Sequence, residues 1–476
     1  MRSGLTLPAE RARFTLALAA GKGAGAAGRL LNIGGGTSLP GAIARRIDPG
    51  VLRNVAAASS ARKAVVTGSN GKTTTCRMLA ALAQAGGIRV TQNRSGSNLL
   101  QGVTSAALQE ANLRGRIDTQ LLLLEVDEAT MRRAVPEVAP DVILITNIFR
   151  DQLDRFGELY SMARMLESAV ESLPAQGTAV LNGDDPLVAS FAPDASARRL
   201  YYGLRLEGEG EGVGTEVPEH AADTIRCVRC QHALSYHRVY LSHLGEYECG
   251  RCGIKRPNLD IAITQVQPSP DGGSDVTAET PAGVIRLHVP LSGLYNVYNT
   301  AAALAGAFAL GTLEPSSAQG ALEGLRPAFG RLEEIRADGQ QVILSFVKNP
   351  TSYNATLRQI LQRPGRKHVL AAHSNTVVDG EDFAWLWDVD LEDLVPDLAS
   401  LVVSGTRAQE VALRMKYAGF NPSGVRVIPG RQAALDAALA QLPGGEPLYI
   451  LAGYTPMREF RRIMQRRGWV PPFWEE

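Results

Sequence analysis

The chain has 476 residues, 45% apolar and 20% charged, the balance of a soluble globular protein and enough length for about three domains. Its 49 Lys+Arg against 48 Asp+Glu leave a formal charge of +1, so bulk charge gives no reason to expect nucleic-acid binding. Five cysteines are too few for a disulfide framework, and no run approaches the ~20 apolar residues that cross a bilayer.

Residues 1–55 read as a helical and extended segment. Phe14 to Ala20 is a short apolar run after Arg2, Arg11 and Arg13, but Glu10 lies in that lead and Lys22 follows at once. It reads as an amphipathic helix rather than an export signal, which predicts a cytoplasmic chain. Gly34-Gly35-Gly36 and Pro40-Gly41 are turn signals. From Lys63 the pattern becomes strands alternating with helices, which implies a parallel sheet covered on both faces. Ala64-Val65-Val66-Thr67 reads as a buried strand and Thr73 to Ala85 as the next helix.

Between them lies Gly68-Ser69-Asn70-Gly71-Lys72-Thr73-Thr74, a phosphate loop in the strand–loop–helix context it requires. Glycines let backbone N–H groups turn towards a phosphate, and the helix N-terminus adds positive dipole. Lys72 supplies a cation for the terminal phosphates of ATP, and the Thr73 hydroxyl can reach Mg²⁺. Glu125 ends the run Leu121-Leu122-Leu123-Leu124, at the carboxyl edge of the sheet, and is a natural second Mg²⁺ ligand. Thr146-Asn147-Ile148 with Asp151-Gln152-Leu153-Asp154, and Asn182-Gly183-Asp184-Asp185, follow two further strands. Three polar edges downstream of one phosphate loop point to a nucleotide site that includes Asn147 and Asp185.

Cys227-Val228-Arg229-Cys230 and Cys249-Gly250-Arg251-Cys252 stand eighteen residues apart. Two such knuckles predict a Cys₄ zinc ribbon, inserted at about residues 222–256, that needs its metal to fold. All four positions are thiolate, so the zinc is structural. His232, His237 and His243 are expected at the surface, and Cys76 packed inside its helix. Residues 261–289, with Gly272-Gly273 between, read as antiparallel strands, and Asn296 to Leu310 as a helix. After Arg331 a second α/β pattern begins, its strands at residues 342–347, 368–371, 401–404 and 448–451.

These residues resemble the Mur ligase family, ATP-dependent enzymes of peptidoglycan synthesis. The likeness runs through Gly68–Thr74, Glu125, Thr146–Asp154, Asn182–Asp185, Gly293 to Asn299 and Gly330-Arg331-Leu332-Glu333. It implies a phosphate-loop domain over residues 56–330 and a C-terminal α/β domain over 331–476. It also implies that Asn296 and Asn299 face the adenine side and Arg331 the phosphates. The reaction it implies activates a carboxylate as an acyl phosphate, which an amine then displaces.

The departures narrow the reading. Asp151-Gln152 stands where the amino-acid-adding ligases have Asp-His, and no lysine occurs between Lys72 and Lys255 to supply their carbamylated lysine. Ser345-Phe346-Val347-Lys348-Asn349-Pro350 replaces their Asp-Tyr-Ala-His-Asn-Pro segment. The amine is therefore expected not to be an ordinary amino acid. Asn93 to Asn98, Phe149 to Glu158, Lys348-Asn349-Pro350, Asp379-Gly380, Trp385-Leu386-Trp387-Asp388 and Ser404-Gly405-Thr406-Arg407 are similar to the MurT-type subunits of lipid II isoglutaminyl synthase. That implies amidation of the α-carboxylate of D-isoglutamate in lipid II, at the inner membrane face, with ammonia from a GatD-type glutamine amidotransferase partner. It also implies that Asp379, with Asp382 and Asp388 as alternatives, orients the histidine of the partner's Cys-His pair. Two other readings carry less of the sequence: a free-standing ligase adding an amino acid, as in folylpolyglutamate synthesis, and a zinc-ribbon ATPase on nucleic acid.

Overall fold

Leucine and valine runs that never alternate with polar residues mark strands buried on both faces, and they build one large sheet. A computed structural model describes residues 8–30, 38–93, 96–150, 159–207, 222–269, 273–326, 332–376 and 378–471. The chain divides into two units, the first comprising Met1–Ile148, Tyr160–Pro218 and Thr224–Arg326. Its strands are β1 (Arg62–Thr67), β2 (Val90–Gln92), β3 (Leu121–Glu125), β4 (Val142–Ile145), β5 (Thr178–Asn182), β6 (Arg198–Leu204), β7 (Ser235–Leu241), β8 (Leu244–Glu248), β9 (Ile261–Pro268), β10 (Ser274–Thr280) and β11 (Gly283–Val289).

Nine of them form a sheet in the order β11-β10-β9-β6-β5-β4-β1-β3-β2. From β2 to β9 the pairing is parallel, and β9, β10 and β11 close the edge as an antiparallel meander. β1 lies centrally between β3 and β4, where the chain reverses its direction of winding and open α/β sheets bind ligands. The helices Lys72–Ala85 and Leu294–Ala309 pack beside it, and Gly306 permits the approach: a Cβ there would lie 3.0 Å from Leu79 Cδ2 and 3.1 Å from Leu144 Cδ1.

The amino-terminal segment forms helices Pro8–Leu30, Leu39–Ile47 and Val51–Ala58. Phe14, Ala17 and Leu18 are buried while Leu16 is exposed, as an amphipathic helix requires. Pro40-Gly41 is not the expected turn but the first turn of a helix, where proline loses no hydrogen bond. Gly41 serves contact instead, its backbone N–H donating to Ser105 Oγ at 2.8 Å. No helix among the described residues is long and apolar enough to cross a membrane.

The second unit comprises Phe149–Leu159, Glu219–Asp223 and Pro327–Glu476. Its sheet uses β12 (Glu333–Ala337), β13 (Gln340–Phe346), β14 (Lys367–Ala372), β15 (Leu398–Ser404), β16 (Val425–Val427) and β17 (Leu448–Ala452) in the order β12-β13-β17-β14-β15-β16. All but the β12–β13 pair are parallel. Apolar clusters cover both faces, one around Tyr353, Leu386 and Met415, the other around Leu435, Phe460 and Met464. The carboxyl ends of β13, β14, β15 and β17 therefore open on one edge.

Candidate active site

The phosphate loop is held by side chains from two other elements. Gly68 and Gly71 take φ of +126° and +87°, a region side chains rarely adopt. A Cβ would also lie 2.3 Å from Thr146 Oγ1 at Gly68 and 2.0 Å from Asn299 Oδ1 at Gly71. The Asn70 N–H donates to Asn147 Oδ1 at 2.9 Å, and its carbonyl accepts from Thr146 Oγ1 at 2.7 Å and Asn147 Nδ2 at 3.1 Å. On the other side Asn299 accepts from Thr75 Oγ1 at 3.3 Å and donates to Asn296 Oδ1 at 3.2 Å. Thr74 is buried in the first helical turn. Asn147, Asn296 and Asn299 are thus drawn together around Gly68–Gly71.

Lys72 and Glu125 anchor the electrostatics. Lys72 Nζ donates to the Gly68 carbonyl at 2.5 Å and to Glu128 Oε1 at 2.8 Å. Burial opposes its charge, but Glu128, with Asp127 and Glu125 behind it, outweighs burial and lifts Lys72 above the ordinary lysine range. Thr73 Oγ1 donates to Glu125 Oε2 at 2.8 Å and Asn98 Nδ2 to Oε1 at 3.1 Å. Asn93 fixes the Glu125 backbone on both sides, accepting from its N–H at 2.8 Å and donating to its carbonyl at 2.9 Å. Burial pushes the Glu125 carboxyl up, partly offset by Lys72 and by the Thr73 and Asn98 bonds. A hydroxyl and a carboxylate already in contact fit Mg²⁺, a hard cation that takes oxygen ligands. Glu128 escapes sequence reading, since a glutamate three residues past a strand looks like a surface residue until the lysine meets it. Asn93 is legible only within the Asn93–Asn98 likeness, with no sign of its hold on the Glu125 backbone.

For Glu125 to hold Mg²⁺ it must be ionised, and burial holds its proton more tightly than in water, so on that role the acid limb of kcat/KM should lie above the ordinary glutamate range. Asn98→Leu removes a bond that favours the carboxylate and should move that limb higher still. A pH profile with an ordinary limb, unmoved by Asn98→Leu, would contradict this.

Asp185 requires a correction. It is fully buried, with Oδ1 accepting from the Leu187 and Val188 N–H groups at 3.0 and 3.2 Å and Oδ2 from the Ile148 N–H at 2.9 Å. It caps the helix Pro186–Ala189 and is spent on backbone, not open to a nucleotide. Its neighbour Asp184 binds Leu204 N–H and Tyr298 Oη at 2.8 Å each, and Arg256 Nε at 2.7 Å. Arg331 and residues 151–158 lie outside the described residues.

Arg256 and the Gly245 N–H, which donates to the Asp184 carbonyl at 2.9 Å, belong to the cysteine ribbon. The β7–β8 hairpin carries buried Tyr236, Val239 and Tyr247. His243 is not at the surface as expected; it is fully buried, Nε2 lying 3.7 Å from Asp185 Oδ1. His232 and His237 are exposed. The two knuckles fold alike: the Gln231 N–H donates to Cys227 O at 2.9 Å and the Gly253 N–H to Cys249 O at 3.0 Å.

The Sγ atoms of Cys227, Cys230, Cys249 and Cys252 all lie within 4.8 Å of one another. Tetrahedral zinc at Zn–S of about 2.3 Å needs sulfurs ~3.8 Å apart, so the four thiols fit it. Metal analysis should return about one zinc per chain, and Cys230→Ser should lower the melting temperature without selectively removing nucleotide binding. A metal-free protein that melts unchanged would contradict this.

In the second unit four loops converge at the open edge. Asp379 is half-exposed, its Oδ1 accepting from the Thr455 N–H at 2.9 Å and its Oδ2 from Thr376 Oγ1 at 2.5 Å. Thr376 also meets Thr455 Oγ1 at 2.8 Å. Thr406 Oγ1 donates to Asn375 Oδ1 at 2.7 Å, and a Cβ on Gly405 would lie 1.9 Å from the His373 carbonyl oxygen. Asn349 caps the helix Pro350–Leu361 in a capping box with Ser352, which fixes Lys348 at the same edge. Asp382 accepts only from the nearby Ala384 N–H among the contacts described, and Asp388 pairs with Arg150 at 3.1 Å. Asp379 accepts one bond from its own loop and one from the start of the helix Tyr454–Arg466.

Comparison with known proteins bears on both units. Residues 66–224 match the Mur ligase middle domain, and residues 346–457 match the MurT ligase C-terminal domain. The MurT subunit of lipid II isoglutaminyl synthase (glutamine-hydrolyzing) from Streptococcus pneumoniae is 31% identical over 439 residues, covering 92% of this chain and 94% of that one. The chain belongs to the MurT family of Mur ligases. The Staphylococcus aureus subunit of the same name is 31% identical, covering 80% of this chain and 83% of that one. Among solved structures, MurF from Acinetobacter baumannii superposes with a TM-score of 0.62 at 20% identity, over 91% of this chain and 80% of that one. Folylpolyglutamate synthase from Mycobacterium tuberculosis gives 0.61 at 16% identity, over 96% of both. Those two establish the fold alone. As a MurT-family chain this is an ATP-dependent ligase.

Proposed function

We propose that this chain is the synthetase subunit of a glutamine-hydrolysing amidotransferase that converts the α-carboxylate of D-isoglutamate in lipid II to the amide. The observation that carries this is a resemblance to MurT subunits along 92% of the chain, joined to the loss of the residues by which related ligases use an amino acid. Lys72, beside Gly68–Gly71, offsets charge on the phosphoryl group as it passes to the substrate carboxylate. Mg²⁺ held by Thr73 and Glu125 would neutralise further phosphate charge. The acyl phosphate so formed is attacked by ammonia, and phosphate leaves. Asn147 and Asn299 keep the loop in shape, Asn296 and Asn299 are assigned to the adenine side, and Arg331 to the phosphates.

Ammonia comes from a GatD-type partner, whose cysteine–histidine pair takes Asp379 as its orienting carboxylate. The reaction takes place at the inner face of the membrane, where the lipid substrate lies. The test is amidation of lipid II with ATP and excess ammonium by this chain alone. Amide with matching ADP and phosphate supports the reading; addition of an amino acid in place of ammonia would favour a free-standing ligase instead.

A further inference from the structure

β14 ends at Ala372 and delivers His373 into a small cavity at the open edge of the second sheet. The cavity measures about 20 Å³ and is bordered by Phe346, Lys348, His373, Asp379, Trp385 and Tyr454, among others. That is room for roughly one molecule the size of water. His373 is only 2% exposed. Its ring stacks on Tyr353 at 5.9 Å and meets Phe383 and Trp385 at 5.1 and 5.8 Å. The Ser404 carbonyl and the Arg407 N–H hold its backbone at 3.2 and 3.1 Å.

The two ring nitrogens differ. Nε2 is buried and has no hydrogen-bond partner among the described residues. Nδ1 and Asp379 Oδ1 lie 3.5 and 3.3 Å from the point a Cβ on Gly453 would occupy. Both therefore border the space beside Gly453, which has no side chain to fill it. A buried N–H without an acceptor is rarer than an unpaired acceptor, so the proton belongs on Nδ1 and the lone pair on Nε2. Burial pushes the imidazole down to about 3, and the ring stays neutral throughout the working range. His373 Nδ1–H and the Asp379 carboxylate thus give the cavity a donor and an acceptor for a small guest.

Ammonia has one lone pair to accept from Nδ1–H and three N–H groups, one of which can reach Asp379. Ammonium has no lone pair and cannot accept from that donor. A neutral imidazole so hard to protonate also cannot take a proton from ammonium and lock as a cation. Resting on the amidotransferase reading above, we propose that this cavity is a binding site for one molecule of ammonia, held by His373 Nδ1 beside Asp379 on its way from glutamine to the acyl phosphate.

The test uses the assembled complex of this chain with its glutaminase partner, supplied with glutamine, ATP and lipid II, and reads glutamate released against amide formed. His373→Phe keeps the ring and removes the donor. Gly453→Ala places a methyl within 3.5 Å of both groups at a residue with ordinary φ of −64°, and melting curves show which variants remain folded. Each should raise glutamate per amide about three- to tenfold, the span set by one lost hydrogen bond. Added ammonium should recover amide formation, which a packing defect would not allow. Unchanged ratios in folded variants mean that the cavity holds water only, and overturn the assignment. Equal losses of glutamate and amide also overturn it, since they place His373 in the partner's chemistry or in packing. If the unaltered complex itself makes no amide from glutamine, the amidotransferase reading fails, and that is seen before any variant is made.

Discussion

Lys72→Ala should reduce amidation by about two to three orders of magnitude, whether nitrogen is supplied as glutamine or as ammonium. The ammonium group offsets charge that grows on the transferring phosphoryl. The substitution has a second consequence, because Lys72 and Glu128 form a buried pair at 2.8 Å with side chains 10% and 4% exposed. Removing one partner leaves an uncompensated carboxylate, at a cost of about 3–5 kcal/mol of stability. The double variant Lys72→Met, Glu128→Gln removes both charges and should regain most of that stability while remaining inactive. Melting curves beside single-turnover assays separate the two effects. Ammonium-driven turnover that survives Lys72→Ala in folded protein would place the phosphoryl chemistry elsewhere.

Asp379→Asn should lower glutamine-dependent amidation by at least about a hundredfold, as expected when an orienting carboxylate no longer fixes a histidine's tautomer. Ammonium-dependent amidation and assembly with the partner should persist. Asparagine retains an oxygen for the Thr455 N–H and can still meet Thr376, so the loop keeps its shape and the change is mainly one of charge. Asp379 is clasped from two sides, which presents the carboxylate in a fixed direction at modest entropy cost. Persistence of both activities would reduce Asp379 to a turn residue; loss of both would assign it to the synthetase site.

Much of this architecture can be read from local patterns. The phosphate loop, Glu125 and the four cysteines can each be placed by residue type and short spacing, and β3, β4 and β5 by runs too apolar to be half-exposed. What stays hidden depends on long-range contact. Glu128 matters because it meets Lys72, fifty-six residues away, and nothing in its neighbours signals that. Asp185 misleads for the opposite reason: an aspartate after a strand suits a ligand or a helix cap equally, and only the Ile148 N–H behind it decides. His243 looks like any histidine of a polar hairpin until the ribbon folds it against Asp185. Pro40-Gly41 carries a turn signature that tertiary packing overrides, since the helix needs that glycine against Ser105.

The most direct measurement supplies the complex with glutamine carrying a heavy-nitrogen amide, in the presence of unlabelled ammonium, and follows the label into the muropeptide by mass spectrometry. The account predicts label in the α-carboxamide of D-isoglutamate, one ADP and one phosphate for each amide, and dilution by unlabelled ammonium that grows in Asp379→Asn. A stem peptide extended by an amino acid, or an amide that never carries the label, would contradict it.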